Sequence, residues 1–287
     1  MKKIKRKTLL YKSGVEYADF GLNHVEGCSH GCMYPCYAMM MKKRCGIVKT
    51  YQDWIEPKIV GNALELLDKE IPKLKDKIGY VFLCFSTDPF MYKQQEVNDL
   101  TLKIIERLNQ DNIKSITISK GVYPKELTDT KVYGDKNEYG STVVTLSEEF
   151  RKKIEPGAAP IKERIKSLKR LHDAGLKTWV SMEPYPTPNI VKQDIRVVLR
   201  EIAFVDKIVF GRWNYNKQTS EFVNYKEFYN SMAYEVIKFC QKNKIDFHIK
   251  EGTISIDKEA SSYKFEKHLL EAYLGGNPVC FPVQATL

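Results

Sequence analysis

Three cysteines lie within nine residues, in the run Gly27-Cys28-Ser29-His30-Gly31-Cys32-Met33-Tyr34-Pro35-Cys36-Tyr37-Ala38. No other feature constrains the chain as much. Thiolates this close on one segment can wrap a single metal cluster. In a reducing compartment such groups bind metal or do redox chemistry instead of forming disulfides. A helix is a poor carrier for them, because Gly31 and Pro35 break it, so a loop is expected. Three near ligands would leave one iron of a four-iron cluster open to a small chelating molecule. The competing reading is a structural zinc site, which wants four ligands at short pair spacings, with His30 or Cys45 as the fourth.

Around this loop, strand-like and helix-like segments alternate. Residues 21–26 are expected to form a short strand feeding the cysteines. Residues 56–75 carry Ile59, Val60, Ala63, Leu67 and Ile71 at helical spacing. The unbroken run Tyr80-Val81-Phe82-Leu83-Cys84 suits a buried parallel strand. Helix 97–109, strands 114–119 and 142–146, and helix 160–174 follow; Pro160 opens that helix and Gly175 ends it. Strand 177–182, helix 193–203, strand 207–210, helix 225–241 and a last strand 245–249 complete the series, with 131–140 as a polar loop. This alternation predicts an α/β fold with a parallel sheet, a partial or full (β/α) barrel. Its parts are a basic irregular lead-in, 1–20, a barrel, 21–250, with the cluster loop after its first strand, and a C-terminal cap, 251–287. The C-terminal ends of barrel strands carry the chemistry. Asp88, Lys120, Ser147, Glu183 and Arg212 all follow apolar strands, a polar set suited to a zwitterionic cofactor. Singly, Asp88-Pro89 also suits a turn, and Glu155 also suits charge-capping the next helix.

The cysteine segment resembles the cluster motif of the radical S-adenosylmethionine (SAM) superfamily, nearest to its spore photoproduct lyase-like branch. The usual motif is Cys-x-x-x-Cys-x-x-Cys; Pro35 adds one residue here, giving Cys-x-x-x-Cys-x-x-x-Cys. Ser86-Thr87-Asp88-Pro89-Phe90 resembles that branch's Thr-Asp-Pro segment. Glu155-Pro156-Gly157-Ala158 with Arg164 resembles its Glu-Pro-Gly-Ala…Arg run, and Met182-Glu183-Pro184-Tyr185-Pro186 resembles its Pro-x-x-Pro segment. The resemblance implies a [4Fe-4S] cluster on Cys28, Cys32 and Cys36, with SAM at the open iron. An electron donor such as flavodoxin or ferredoxin would reduce the cluster. SAM would then yield a 5′-deoxyadenosyl radical that takes hydrogen from a substrate. It also implies cofactor contacts: Thr87 and Asp88 with the SAM ammonium, Lys120 with its carboxylate, Ser147 and Glu183 on the same rim, and Tyr34 against the adenine. It names no catalytic residue toward the substrate. Where the lyase has its hydrogen-returning cysteine this chain has Phe85. Cys84 comes one residue earlier and is expected to face the other way, so thymine-dimer repair itself is not expected.

The formal net charge is +10, which favours anionic partners. Nucleic acid or a nucleotide is therefore the first substrate class, with the exposed-looking Trp213 and Tyr215 beside Arg212 read either as stacking residues or as simple loop packing. A peptide or protein substrate is the alternative, without the second cysteine cluster common in peptide-modifying relatives. No apolar run reaches membrane-span length. The start, Met1-Lys2-Lys3-Ile4-Lys5-Arg6-Lys7, lacks the apolar stretch of a signal peptide, so a cytoplasmic location is expected.

Overall fold

The structure, a computed structural model, describes residues 1–14, 18–34 and 36–255. Pro35, Cys280 and the expected cap from residue 256 onward lie outside the described residues. The chain divides into two compact units, one of Met1–Thr142 with Ser147–Thr178, the other of Val143–Leu146 with Trp179–Leu287.

The first unit opens with strands β1 (Lys2–Ile4), β2 (Leu10–Lys12), β3 (Phe20–Leu22) and β4 (Val25–Glu26). Helices α1 (Tyr37–Arg44) and α2 (Tyr51–Ile55) and strand β5 (Lys58–Val60) come next, then α3 (Ala63–Leu74), β6 (Tyr80–Leu83), α4 (Gln95–Gln110) and β7 (Lys114–Ser119). The unit continues with α5 (Thr130–Tyr133), β8 (Glu138–Thr142), α6 (Glu148–Ile154) and α7 (Ile161–Asp173). Strands β3, β6, β7 and β8 pair in parallel in that order, and β2 runs antiparallel along the other side of β3. A separate small sheet has the order β1-β5-β4.

Strand β9 (Lys177–Tyr185) enters the second unit, where it pairs in parallel with β10 (Lys207–Arg212), and β10 with β11 (Asp246–Ile249). Helices α8 (Ile195–Glu201), α9 (Lys217–Ser220) and α10 (Tyr225–Asn243) connect them or follow. The larger sheet has eight strands and is mostly parallel, which is the expected α/β class.

Burial follows the sequence patterns. Val81, Phe82 and Leu83 of β6 are all buried, as a strand covered on both faces requires. Helix α4 buries Val97, Thr101, Ile104, Ile105 and Leu108, one face at three-and-four spacing. Gly175 ends α7 with φ +84°, its N–H donating to His172 O.

Four expectations change. The lead-in is not wholly irregular, since β1 and β2 find partners in β5 and β3. The helix expected over 56–75 starts at Ala63, because Ile59 and Val60 form β5 between β1 and β4 and the break falls at Gly61. The polar loop is shorter than expected: α5 occupies its start and β8 begins at Glu138. Asn137 sets that start by accepting the Ser115 N–H at 2.7 Å. The strand placed at 142–146 is that β8, four residues earlier. Beyond Thr142 the chain passes to the second unit, where Val143 N–H donates to Ser181 O.

The packing of α4 makes a direct prediction. Ile104→Ala is expected to cost about 2–5 kcal/mol in urea unfolding. Lys103→Ala, on the exposed face, should stay within about 0.5 kcal/mol of wild type.

Candidate metal centre

The cysteine loop begins where β4 ends. Gly27 (φ +84°) turns the chain, and a Cβ there would stand 2.7 Å from Trp54 O, the same oxygen that accepts the Cys28 N–H. Gly31 (φ +57°) makes a second bend, and its carbonyl accepts the Tyr51 hydroxyl at 2.7 Å. Met33 N–H donates to Ile154 O at 2.8 Å, and Gly157 N–H donates to His30 O at 3.0 Å. Gly157 has to be glycine, because a Cβ would lie 2.1 Å from Ser29 O. Cys36 is the N-cap residue of α1.

Cys28 and Cys32 are buried and Cys36 is half-buried. All three line one cavity of about 110 Å³, together with Tyr34, Thr87, Asp88, Ser119 and Lys120. Among the described residues, no three His, Cys, Asp or Glu side chains close on a single metal ion. Cys45 caps the far end of α1, about 13 Å along the helix from Cys36, and is exposed.

Lys120, just past β7, reaches back over the loop. Its Nζ lies 3.8 Å from Cys32 Sγ and 3.1 Å from Glu155 Oε1, and it hydrogen-bonds the Tyr34 hydroxyl. Burial works against its charge, but Cys32, Glu155 and Tyr34 raise it well above the ordinary lysine value, so it stays cationic. Glu155 in turn holds Arg164, with Oε2 2.7 Å from Nη2. Burial would raise the Glu155 carboxyl, but Lys120 and Arg164 draw it down to about 2.

The expected contacts fall in different places. Tyr34, Thr87, Asp88 and Lys120 line the cavity with the cysteines. Ser147 is the N-cap of α6, accepting the Phe150 N–H at 3.2 Å, and is not among the lining residues. Glu183 lies within β9 in the second unit, where a Cβ on Gly211 would come 2.8 Å from its Cδ. Asp88 is more heavily bonded than its sequence suggests. Its Oδ1 accepts the Phe90 N–H and the Ser119 hydroxyl, and its Oδ2 accepts the Lys120 N–H and faces His30 Nδ1. Burial would raise this carboxyl, but those partners hold it below the usual carboxylate value.

His30, weighed in the sequence only as a zinc ligand, has both ring nitrogens engaged. Its position between two cysteines was the one available signal. Glu155 does not simply cap the next helix; it bridges two cations. Trp213, expected to be exposed, is 4% exposed, while Tyr215 is 77% exposed.

Cys84 is not among the cavity's lining residues and belongs to an apolar cluster with Cys28, Val25, Trp54 and Met91. Its Sγ lies 3.3 Å from His24 Nδ1. Burial pushes the Cys84 thiol up to about 12 and draws His24 down to about 3, so the pair is neutral. Phe85 is 40% exposed.

Comparison with known proteins gives a consistent picture. Residues 22–202 match the model of the radical SAM superfamily. An uncharacterised protein of Acidianus two-tailed virus is 26% identical over 241 residues, covering 78% of this chain and 75% of that protein. Among solved structures, spore photoproduct lyase complexed with dinucleoside spore photoproduct shares the fold at a TM-score of 0.60 and 13% identity, over 86% of this chain and 80% of that one. A mutant of that lyase with bound AdoMet and dinucleoside spore photoproduct matches at a TM-score of 0.57 and 14% identity, over 96% and 79%.

The buried Glu155 pairs set a pH signature. At neutral pH Glu155→Gln leaves Lys120 and Arg164 buried without their anion, an expected loss of about 3–5 kcal/mol. The carboxyl is depressed from 4.5 to about 2, so its stabilisation is full above the unfolded value and fades as pH falls toward the folded one. Urea unfolding at a series of pH values should show the gap between wild type and variant closing below about pH 4.

Proposed function

This chain belongs to the radical SAM superfamily, and on that premise we propose that Cys28, Cys32 and Cys36 hold a [4Fe-4S] cluster and that the protein acts on nucleic acid or a nucleotide. The superfamily's cofactors are the cluster and SAM, and its members need an electron donor; flavodoxin or ferredoxin is the proposed one. When bound, these cofactors supply one-electron cleavage of SAM and hydrogen-atom abstraction from the substrate. The observation that carries the reading is the single cavity lined by three thiols and the Lys120 ammonium.

Within that cavity each residue has a defined part. Lys120 offers a buried cation to the SAM carboxylate, and Glu155 holds that cation in place. Tyr34 packs its ring under the Lys120 Nζ, 4.7 Å from the centroid, and walls the adenine side. Thr87 lines the same cavity and offers a hydroxyl to the ammonium end. Ser147 caps α6 and does not line this cavity; Glu183 remains a proposed cofactor contact.

The nucleic-acid part of the proposal rests on the loop after β10. Trp213 is its buried anchor, its backbone N–H donating to the Tyr229 hydroxyl at 3.1 Å. Tyr215 projects from it with φ +58°, a costly backbone for a bulky residue. Arg212, Asn214, Lys217 and Tyr225 share a pocket of about 250 Å³ with Tyr215, and no carboxylate lines it. An exposed ring among cations and amides suits a stacked base and its phosphate. No described helix is long and apolar enough to cross a membrane, and we place the protein in the cytoplasm.

Two experiments test this. Purified without oxygen, reconstituted with iron and sulfide and reduced with dithionite, the protein should form 5′-deoxyadenosine from SAM. Cys28→Ala, Cys32→Ala and Cys36→Ala should abolish it, and Cys45→Ala should not; bound zinc with no 5′-deoxyadenosine would sink the reading. A labelled single-stranded oligonucleotide should bind with an affinity that falls steeply as salt rises. Tyr215→Ala should weaken it by about 1–3 kcal/mol, and binding indifferent to salt would remove nucleic acid as the substrate class.

A further inference from the structure

We infer that His30 and Asp88 form a latch that positions the cysteine loop for its cluster. The inference rests on the cluster assignment proposed above.

His30 stands between the two buried cysteines and is 1% exposed. Its Nε2 accepts the Tyr92 N–H at 3.0 Å. Nε2 therefore acts as an acceptor, which leaves Nδ1 as the ring's donor. Nδ1 lies 3.3 Å from Asp88 Oδ2 and donates to it. Asp88 is 5% exposed and takes three more donors: Phe90 N–H at 2.9 Å, Ser119 O–H at 2.7 Å and Lys120 N–H at 2.8 Å. An ionised carboxylate offers about four lone-pair sites. Four protein donors occupy them.

The latch joins three segments. The first is the cysteine loop at His30. The second is the turn after β6, through Phe90 and Tyr92. The third is the end of β7, through Ser119 and Lys120. The His30 carbonyl is used as well, by Gly157 N–H. The backbone between Cys28 and Cys32 is thus held at its midpoint by both side chain and main chain. Lys120 is set by the same carboxylate through its backbone, while its side chain points at Cys32. One carboxylate therefore fixes the spacing between the thiols and the cation. Outer partners of metal ligands are worth about 10–100-fold in metal affinity when removed.

The test compares His30→Ala, Asp88→Asn, the double variant and His30→Gln after reconstitution with iron and sulfide. Three readouts are taken: iron retained per chain against a chelator, the EPR spectrum of the reduced cluster, and thermal unfolding of the metal-free chain. His30→Ala and Asp88→Asn should each lose iron about tenfold faster than wild type. The double variant should be no worse than either single one, because one latch is broken in each case. The EPR signal should broaden in those three. His30→Gln keeps an acceptor for Tyr92 and a donor for Asp88, and should return both iron retention and spectrum toward wild type. If His30→Ala does not fold, Asp88→Asn against His30→Gln carries the comparison. Wild-type iron retention and spectrum in Asp88→Asn would overturn the latch, as would a His30→Gln protein as impaired as Asp88→Asn. Failure of the wild type itself to hold iron would instead overturn the cluster assignment.

Discussion

The buried carboxylate of Glu155 is the point on which the first unit's working end depends. A lone buried carboxylate is prohibitively costly, so Glu155 must keep both of its cations, Lys120 and Arg164. Those cations come from different elements, Lys120 from the end of β7 and Arg164 from α7. Arg164 also donates to Ala159 O and Thr142 O, which ties the end of β8 into the same network. The ion pairs thus dock strand ends, a helix and a loop onto one another. The residue two places on, Gly157, is the one that grips the cysteine loop. Glu155 holds the Lys120 ammonium at the cavity wall.

Close backbone contact does the rest. Gly157 lets the chain come against Ser29, and Gly121 does the same against Phe90, where a Cβ would stand 1.7 Å from the carbonyl oxygen. Both glycines sit next to residues of the cavity wall. The walls are therefore main chain locked on main chain, which limits how far Lys120 and the thiols can drift apart.

The cysteines divide by surroundings. Cys28, Cys32 and Cys36 open onto a polar cavity with a cation at one side. Cys84 is as deeply buried as any of them, but it packs among apolar side chains and lies beside a neutral His24. Burial without a charge partner favours the thiol, so Cys84 reads as a packing residue despite its left-handed backbone (φ +56°).

The sequence by itself determined the fold class and pointed to the candidate metal site. Apolar runs such as 80–84 and helical faces such as that of α4 are local patterns, and local periodicity is what a sequence displays. The cysteine trio and Lys120 were legible for the same reason, since short spacings and strand ends can be counted along the chain. Tertiary structure decided what depends on distant partners. Ile59 and Val60 became a strand because β1 and β4 flank them, against a helical spacing. Trp213 went inside and Tyr215 outside, although both looked equally exposed. Asp88 also gained partners that its sequence context does not display: its carboxylate takes bonds from His30, Phe90, Ser119 and Lys120. Three of the four bonds that fill it reach residues separated from it along the chain by tens of positions, and only the folded backbone brings them within hydrogen-bond range.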